Sequence, residues 1–101
     1  MRIKYFAEIG LNYLGKSKYL EQYLDELCSS NIDGVTIQVL NNDFYKDKFK
    51  SYKISNSTLI KFVQTLRKNK KLVGFVTNNL SKIRFLKELK VDFYKVLSPN
   101  I

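Results

Sequence analysis

A carboxylate inside an otherwise apolar strand is costly unless it has a partner or a task. Glu8 stands in that position, between Phe6-Ala7 and Ile9, just ahead of the turn Gly10-Leu11-Asn12-Tyr13-Leu14-Gly15. Lys95 has the same character: it falls between Tyr94 and Val96 in another apolar run and requires a counter-charge. Glu8 is the candidate, provided that both strands face one interior. Thr36 and Gln38, two apart in a β-branched run, share a strand face, and Gln38 would add an amide. An acid, an amine and neutral polar groups can hold a small charged molecule and move a proton. Nothing in the chain supplies a strong nucleophile, since Cys28 falls on the apolar stripe of a helix and there is no histidine.

Such residues need a frame that brings strand ends together. The first apolar run ends in small polar residues, and the pattern returns at 35–42, 72–79 and 91–100 with helical segments between. That alternation implies a parallel sheet whose carboxyl ends form the site. The first strand is expected over 3–9, with Phe6, Glu8 and Gly10 on one face. Ser17 is expected to cap a helix with the stripe Leu20, Tyr23, Leu24, Leu27 and Cys28, ending near Asn31. Residues 35–40 form the second strand. A cap at Ser55 or Ser57 opens a helix whose inner stripe is Leu59, Phe62, Val63 and Leu66 and which stops within 67–71. Residues 72–76 make the third strand. Asn79 or Ser81 caps a helix through Ile83, Phe85, Leu86 and Leu89, and 91–97 makes the fourth strand, closed by Pro99.

The chain is read as α/β, a single domain over 1–101: a parallel (βα)3β partial TIM barrel in strand order 1-2-3-4, with helices on the outer face. A complete (βα)8 barrel takes about 250 residues, so this resembles a half-barrel with both sheet edges open. Self-association or a complementary half-barrel chain would cover those edges; the other outcomes are a small open sheet or a marginally stable remnant.

With 45% hydrophobic and 14% aromatic residues the chain is not disordered, and it has no apolar run long enough for a transmembrane helix, so no membrane partner is expected. No secretory signal is expected at the first residues, and one cysteine suits a reducing cytoplasm. The net charge of +9 would fit nucleic acid, anionic lipid or a phosphorylated molecule, but the lysines are scattered along every helix, as on a solvated surface. In the long connection 41–57, Phe44, Tyr45, Phe49 and Tyr52 alternate with lysines and could stack bases. The expected reading is that the aromatics cover the sheet end while the lysines face water, so nucleic acid is an unlikely partner.

Taken in order, four motifs resemble the amino-terminal part of the N-acetylneuraminate (sialic acid) synthase family. Glu8-Ile9-Gly10-x-Asn12-x-x-Gly15 resembles the family's E-x-G-x-N-H-N-G, and Asp33-Gly34-Val35-Thr36-Ile37-Gln38 resembles D-A-V-K-F-Q. Val76-Thr77-Asn78 sits where the family has Thr-Pro-Phe. Phe85-Leu86-x-Glu88-Leu89-x-Val91-x-x-Tyr94-Lys95-Val96-x-Ser98 resembles F-L-E-E-L-G-V-x-x-Y-K-I-x-S-G-E.

The resemblance implies a TIM-barrel synthase that condenses phosphoenolpyruvate with an N-acetylated amino sugar, assisted by a divalent metal, Mn or Mg, in a complete member. It implies Glu8 as the catalytic group for proton transfer or hydroxyl binding, and Asn12, Gln38, Thr77, Lys95 and Ser98 as substrate-binding, with Lys95 and Ser98 on phosphoenolpyruvate. Thr77 matches only after a one-residue shift, the gap-free count falling on Val76. Tyr13-Leu14 replaces the family's His-Asn, Thr36 a lysine, and Pro99-Asn100 a Gly-Glu pair. The metal-binding histidines belong to later strands, so this chain alone is expected to bind no metal and to complete no reaction. Three readings follow: a synthase assembled with a second chain, a non-catalytic remnant acting as a binding module, and a basic nucleic-acid or anionic-surface binder.

Overall fold

Four parallel strands, β1 (Phe6–Glu8), β2 (Gly34–Val39), β3 (Leu72–Thr77) and β4 (Phe93–Val96), form one sheet in the order β1-β2-β3-β4. They come from a computed structural model that describes residues 3–96; the expected strand end at Leu97, and Ser98 and Pro99, lie outside the described residues. Helices α1 (Ser17–Ser29), α2 (Asn56–Lys68) and α3 (Ile83–Glu88) join successive strands. They pack on one face of the sheet, where Val35, Ile37, Val39, Val73 and Phe75 meet Leu20, Leu24, Leu59, Phe62, Val63, Leu66 and Leu86. The partial (βα)3β barrel implied by the alternation is the observed architecture.

Helix α2 forms as read. Ser55 Oγ accepts the Thr58 N–H at 3.2 Å, satisfying one of the orphan donors at the start of α2, and all four residues of its inner stripe are buried. Helix α1 departs in three details. Lys16, not Ser17, stands at its N-cap, and its carbonyl receives Leu20 N–H, leaving Ser17 inside the first turn. Tyr23 is exposed rather than part of the buried stripe. The helix ends at Ser29, because the Ser29 and Ser30 hydroxyls turn back onto carbonyls of its last turn. Before α3, Ser81 Oγ donates to Asn79 Oδ1 at 2.6 Å, so the two expected caps bond each other and a 3₁₀ turn, Leu80–Lys82, leads into the helix. Strand β1 is shorter than expected because Tyr5 N–H goes to the Asp33 carboxylate at 2.8 Å, outside the ladder.

The residue immediately before each of β2, β3 and β4 reaches back to the entrance of the preceding strand. Asp33 does so onto Tyr5 N–H. Lys71 Nζ donates to the carbonyls of Ser30 and Ile32, at 2.6 and 2.9 Å, just before β2. Asp92 Oδ2 accepts Val73 N–H at 2.8 Å. All four bonds, made by three residues, are charge-assisted.

The end of α2 and the end of α3 each place a lysine in the left-handed region, Lys70 at φ 61° and Lys90 at φ 57°. Glycine adopts that conformation without the clash of a Cβ with the carbonyl. Lys70→Gly and Lys90→Gly should therefore each raise stability by about 0.5–1 kcal/mol in urea denaturation, whereas glycine at an ordinary helical position lowers it.

Candidate functional site

The face of the sheet away from the helices is concave. The ladder sets Glu8 beside Thr36, Thr36 beside Gly74 and Gly74 beside Phe93, with Gln38, Val76 and Lys95 one pleat further on. Alternation therefore puts Phe6, Glu8, Gly34, Thr36, Gln38, Gly74, Val76, Phe93 and Lys95 on this one face. The two central strands carry glycine where the outer strands carry rings. A Cβ on Gly34 would lie 2.4 Å from the Phe6 ring, and one on Gly74 would lie 2.2 Å from the Phe93 ring. With nothing in between, Phe6 and Phe93 meet edge to face across the hollow, centroids 5.4 Å apart.

Above the rings, toward the carboxyl ends, Glu8 Oε1 and Lys95 Nζ approach to 3.6 Å. They share a concavity of about 130 Å³ with Gly10, Thr36, Gln38 and Val76. Gly10, at φ 55°, turns the chain away from β1 at its rim. Thr36 is buried at its floor. The acid and the amine are not buried as the sequence implied: their side chains are 62% and 59% exposed, because among the described residues the helices cover the other face of the sheet. An ion pair so exposed contributes about 0–1 kcal/mol, which leaves both groups free to exchange partners with a ligand.

Of the residues singled out by the sequence, the structure brings Glu8, Gln38 and Lys95 together. Thr77 lies on the opposite, helix-covered face, fully buried, with its hydroxyl accepting Asn79 N–H at 2.9 Å. Its neighbour Val76, the gap-free counterpart, is the one that lines the concavity. Asn12 belongs to a separate groove over α1, with Leu14, Tyr19, Gln22, Tyr23 and Glu26. Ser98 is outside the described residues. The reading of the sequence missed the pair of glycines with facing phenylalanines, although glycine inside a strand is itself a sign of close approach.

Among the described residues no three of His, Cys, Asp and Glu come together as a metal site. The metal that the resemblance implies does not fit the residues here. The loop aromatics spend their faces on each other: Phe44 stacks on Phe49 at 4.6 Å and touches Tyr45 edge-on, and Phe49 and Tyr13 both meet Tyr52. Tyr45 is buried, and its hydroxyl accepts the N–H of Leu40 at the end of β2. These rings pack on one another and, through Tyr45, on the end of β2. Among the described residues no helix is long and apolar enough to cross a membrane.

No family model matches the chain, and no curated protein does. Among solved structures it is similar to N-acetylneuraminic acid (sialic acid) synthetase from Leptospira borgpetersenii serovar Hardjo-bovis, solved in complex with citrate. The TM-score is 0.80 at 19% identity, and the match covers 95% of this chain. The chain spans 36% of the length of that synthetase. At that identity the likeness establishes the shared fold: an open run of parallel βα units built like the corresponding part of a TIM-barrel synthetase.

Proposed function

We propose that the concavity of Glu8, Thr36, Gln38 and Lys95 is one half of a sialic acid synthase type of site, which joins phosphoenolpyruvate to an N-acetylated amino sugar. On this reading the 101-residue chain alone acts as a binding module for a small carboxylated or phosphorylated ligand and does not turn it over. The observation that carries it is the meeting of Lys95 and Glu8 at 3.6 Å, at the carboxyl ends of the two outermost strands of a synthetase-like sheet. Parallel sheets of this kind bind their ligands at that end.

Lys95 supplies the cation for the ligand's carboxylate or phosphate. Thr36 and Gln38 supply a hydroxyl and an amide. Glu8 is placed to accept a sugar hydroxyl or a proton, and Ser98, three residues past Lys95, would add a phosphate contact. No step is routed through a metal. With threonine where the family has lysine, one cation faces one carboxylate, and affinity is expected to be weak, roughly millimolar. The single, half-buried Cys28 suits a reducing cytoplasm, which we take as the compartment.

Phosphoenolpyruvate titrated into ¹⁵N-labelled protein should shift the amides of Gly10, Thr36, Gln38 and Lys95. Lys95→Ala should abolish the shifts, and Glu8→Gln should tighten binding several-fold by removing the competing charge. Equal affinity in the wild type and Lys95→Ala would overturn the assignment.

A further inference from the structure

We propose that two copies of this chain close one eight-stranded parallel barrel, β4 of each copy pairing with β1 of the other. The proposal does not depend on what the concavity binds.

Both outer strands offer backbone groups at the seam. The Tyr5 carbonyl receives Gly34 N–H, and Ile9 N–H donates to the Thr36 carbonyl, so Tyr5, Ala7 and Ile9 turn their backbone toward β2. The N–H and C=O of Phe6 and Glu8 consequently face the open edge. On the other side Asp92 N–H donates to the Val73 carbonyl, which turns Tyr94 and Val96 toward β3 and Phe93 and Lys95 outward. Uncovered strand edges of this kind are templates for pairing.

The two edges complement each other. One presents a ring and an acid, Phe6 and Glu8; the other presents a ring and an amine, Phe93 and Lys95. Within one copy these side chains already meet across the hollow, so the sheet is curled about its concave side. In the ladder Phe93 stands level with Glu8, through Thr36 and Gly74, yet its ring meets Phe6, two residues earlier. A stagger of that sense is what strand tilt in a barrel produces, and eight strands enclose an interior that side chains just fill. A second copy would give each Glu8 another ammonium and each Phe6 another ring on the adjoining strand.

The exposed apolar surface points to the same seam. Among the described residues, all the large apolar side chains left in solvent but Leu80 lie on or beside β1, on the α1 flank, or on β4. That α1 flank, bearing Tyr19 and Tyr23, faces away from α2, toward which Glu21 turns to meet Lys61. The helices on either side of the seam have opposite charge: with Glu21 turned to Lys61 and Lys82 to Asn56, α1 still carries Asp25 and Glu26 against Lys18, whereas Arg84 and Lys87 of α3 stand against Glu88. Opposed fields of this kind favour a head-to-tail ring over random contact.

Sedimentation equilibrium combined with amide exchange tests the proposal on the unmodified chain. A dimer is expected in the micromolar range, and as its fraction rises the amides of Phe6, Glu8, Phe93 and Lys95 should slow by about tenfold or more. A monomer through the high micromolar range overturns it. So does a dimer in which those four amides exchange freely, or growth into filaments, which an unclosed seam would give.

Discussion

Above pH 10 the protein should lose stability at a slope approaching about 1.4 kcal/mol per pH unit for each tyrosine held protonated in the native state. Tyr13 is 3% exposed, and burial, with smaller contributions from Tyr45 and Tyr52, pushes its hydroxyl far above the usual phenol range. Tyr45 is raised as well, again by burial, and is lowered only in part by its bond to Leu40 N–H. The sign follows from proton counting. The unfolded chain releases these protons near pH 10 and the native state keeps them, so the contribution is intact below pH 10 and is lost as pH climbs toward the raised native values. The Tyr13 hydroxyl also donates to the Tyr52 carbonyl, a bond that its ionisation would abolish. Urea denaturation from pH 8 upward should therefore steepen past pH 10, with tyrosinate absorbance rising together with unfolding. Tyr13→Phe should lose about 1 kcal/mol at neutral pH and show a shallower alkaline slope. An identical slope in that variant would show that Tyr13 ionises within the folded protein.

Gly34→Ala should cost about 3 kcal/mol, at the upper end for overpacking. The new methyl would stand 2.4 Å from the Phe6 ring and 2.7 Å from the carbonyl oxygen of Leu72. A ring on an edge strand can swing aside, but a carbonyl of the neighbouring strand cannot move without disturbing the ladder. Gly74→Ala is the contrast, since the three nearest atoms it meets all belong to the Phe93 ring, on β4. Its cost should be about 1 kcal/mol, with loss of the Phe6–Phe93 contact. Combining Phe6→Ala with Gly34→Ala should leave most of the Gly34 penalty in place. Full recovery in the double variant would assign the penalty to the ring instead of the carbonyl.

Both long helices could be read from their apolar stripes, α1 less completely than α2, because Tyr23 lies on its exposed flank and Lys16 takes the cap position. Leu59, Phe62, Val63 and Leu66 repeat at helical spacing and have no competing use, so α2 is found with its cap. The shared interior of Glu8 and Lys95 was legible because strand alternation fixes a face once the strands are placed. The same rule explains Thr77: a one-residue shift exchanges the two faces of a strand, and taking that shift moved the match from the concave face to the helix-covered one. Exposure of the ion pair was not legible, since a buried strand and a strand covered on one side carry similar residues. Nor was the role of Lys71, whose position between a helix and a strand reads as ordinary dipole complementarity until its partners on the neighbouring unit are seen.

The back-reaching residues at 33, 71 and 92 bear on how the chain comes together during synthesis. Each bond can form only after the earlier strand's entrance is in place, and none needs anything that follows it. Growth from the amino terminus could thus latch one βα unit at a time, every new segment fastening its predecessor. A protein built this way is extendable by whole segments, because the newest strand always leaves a fresh entrance for the next latch.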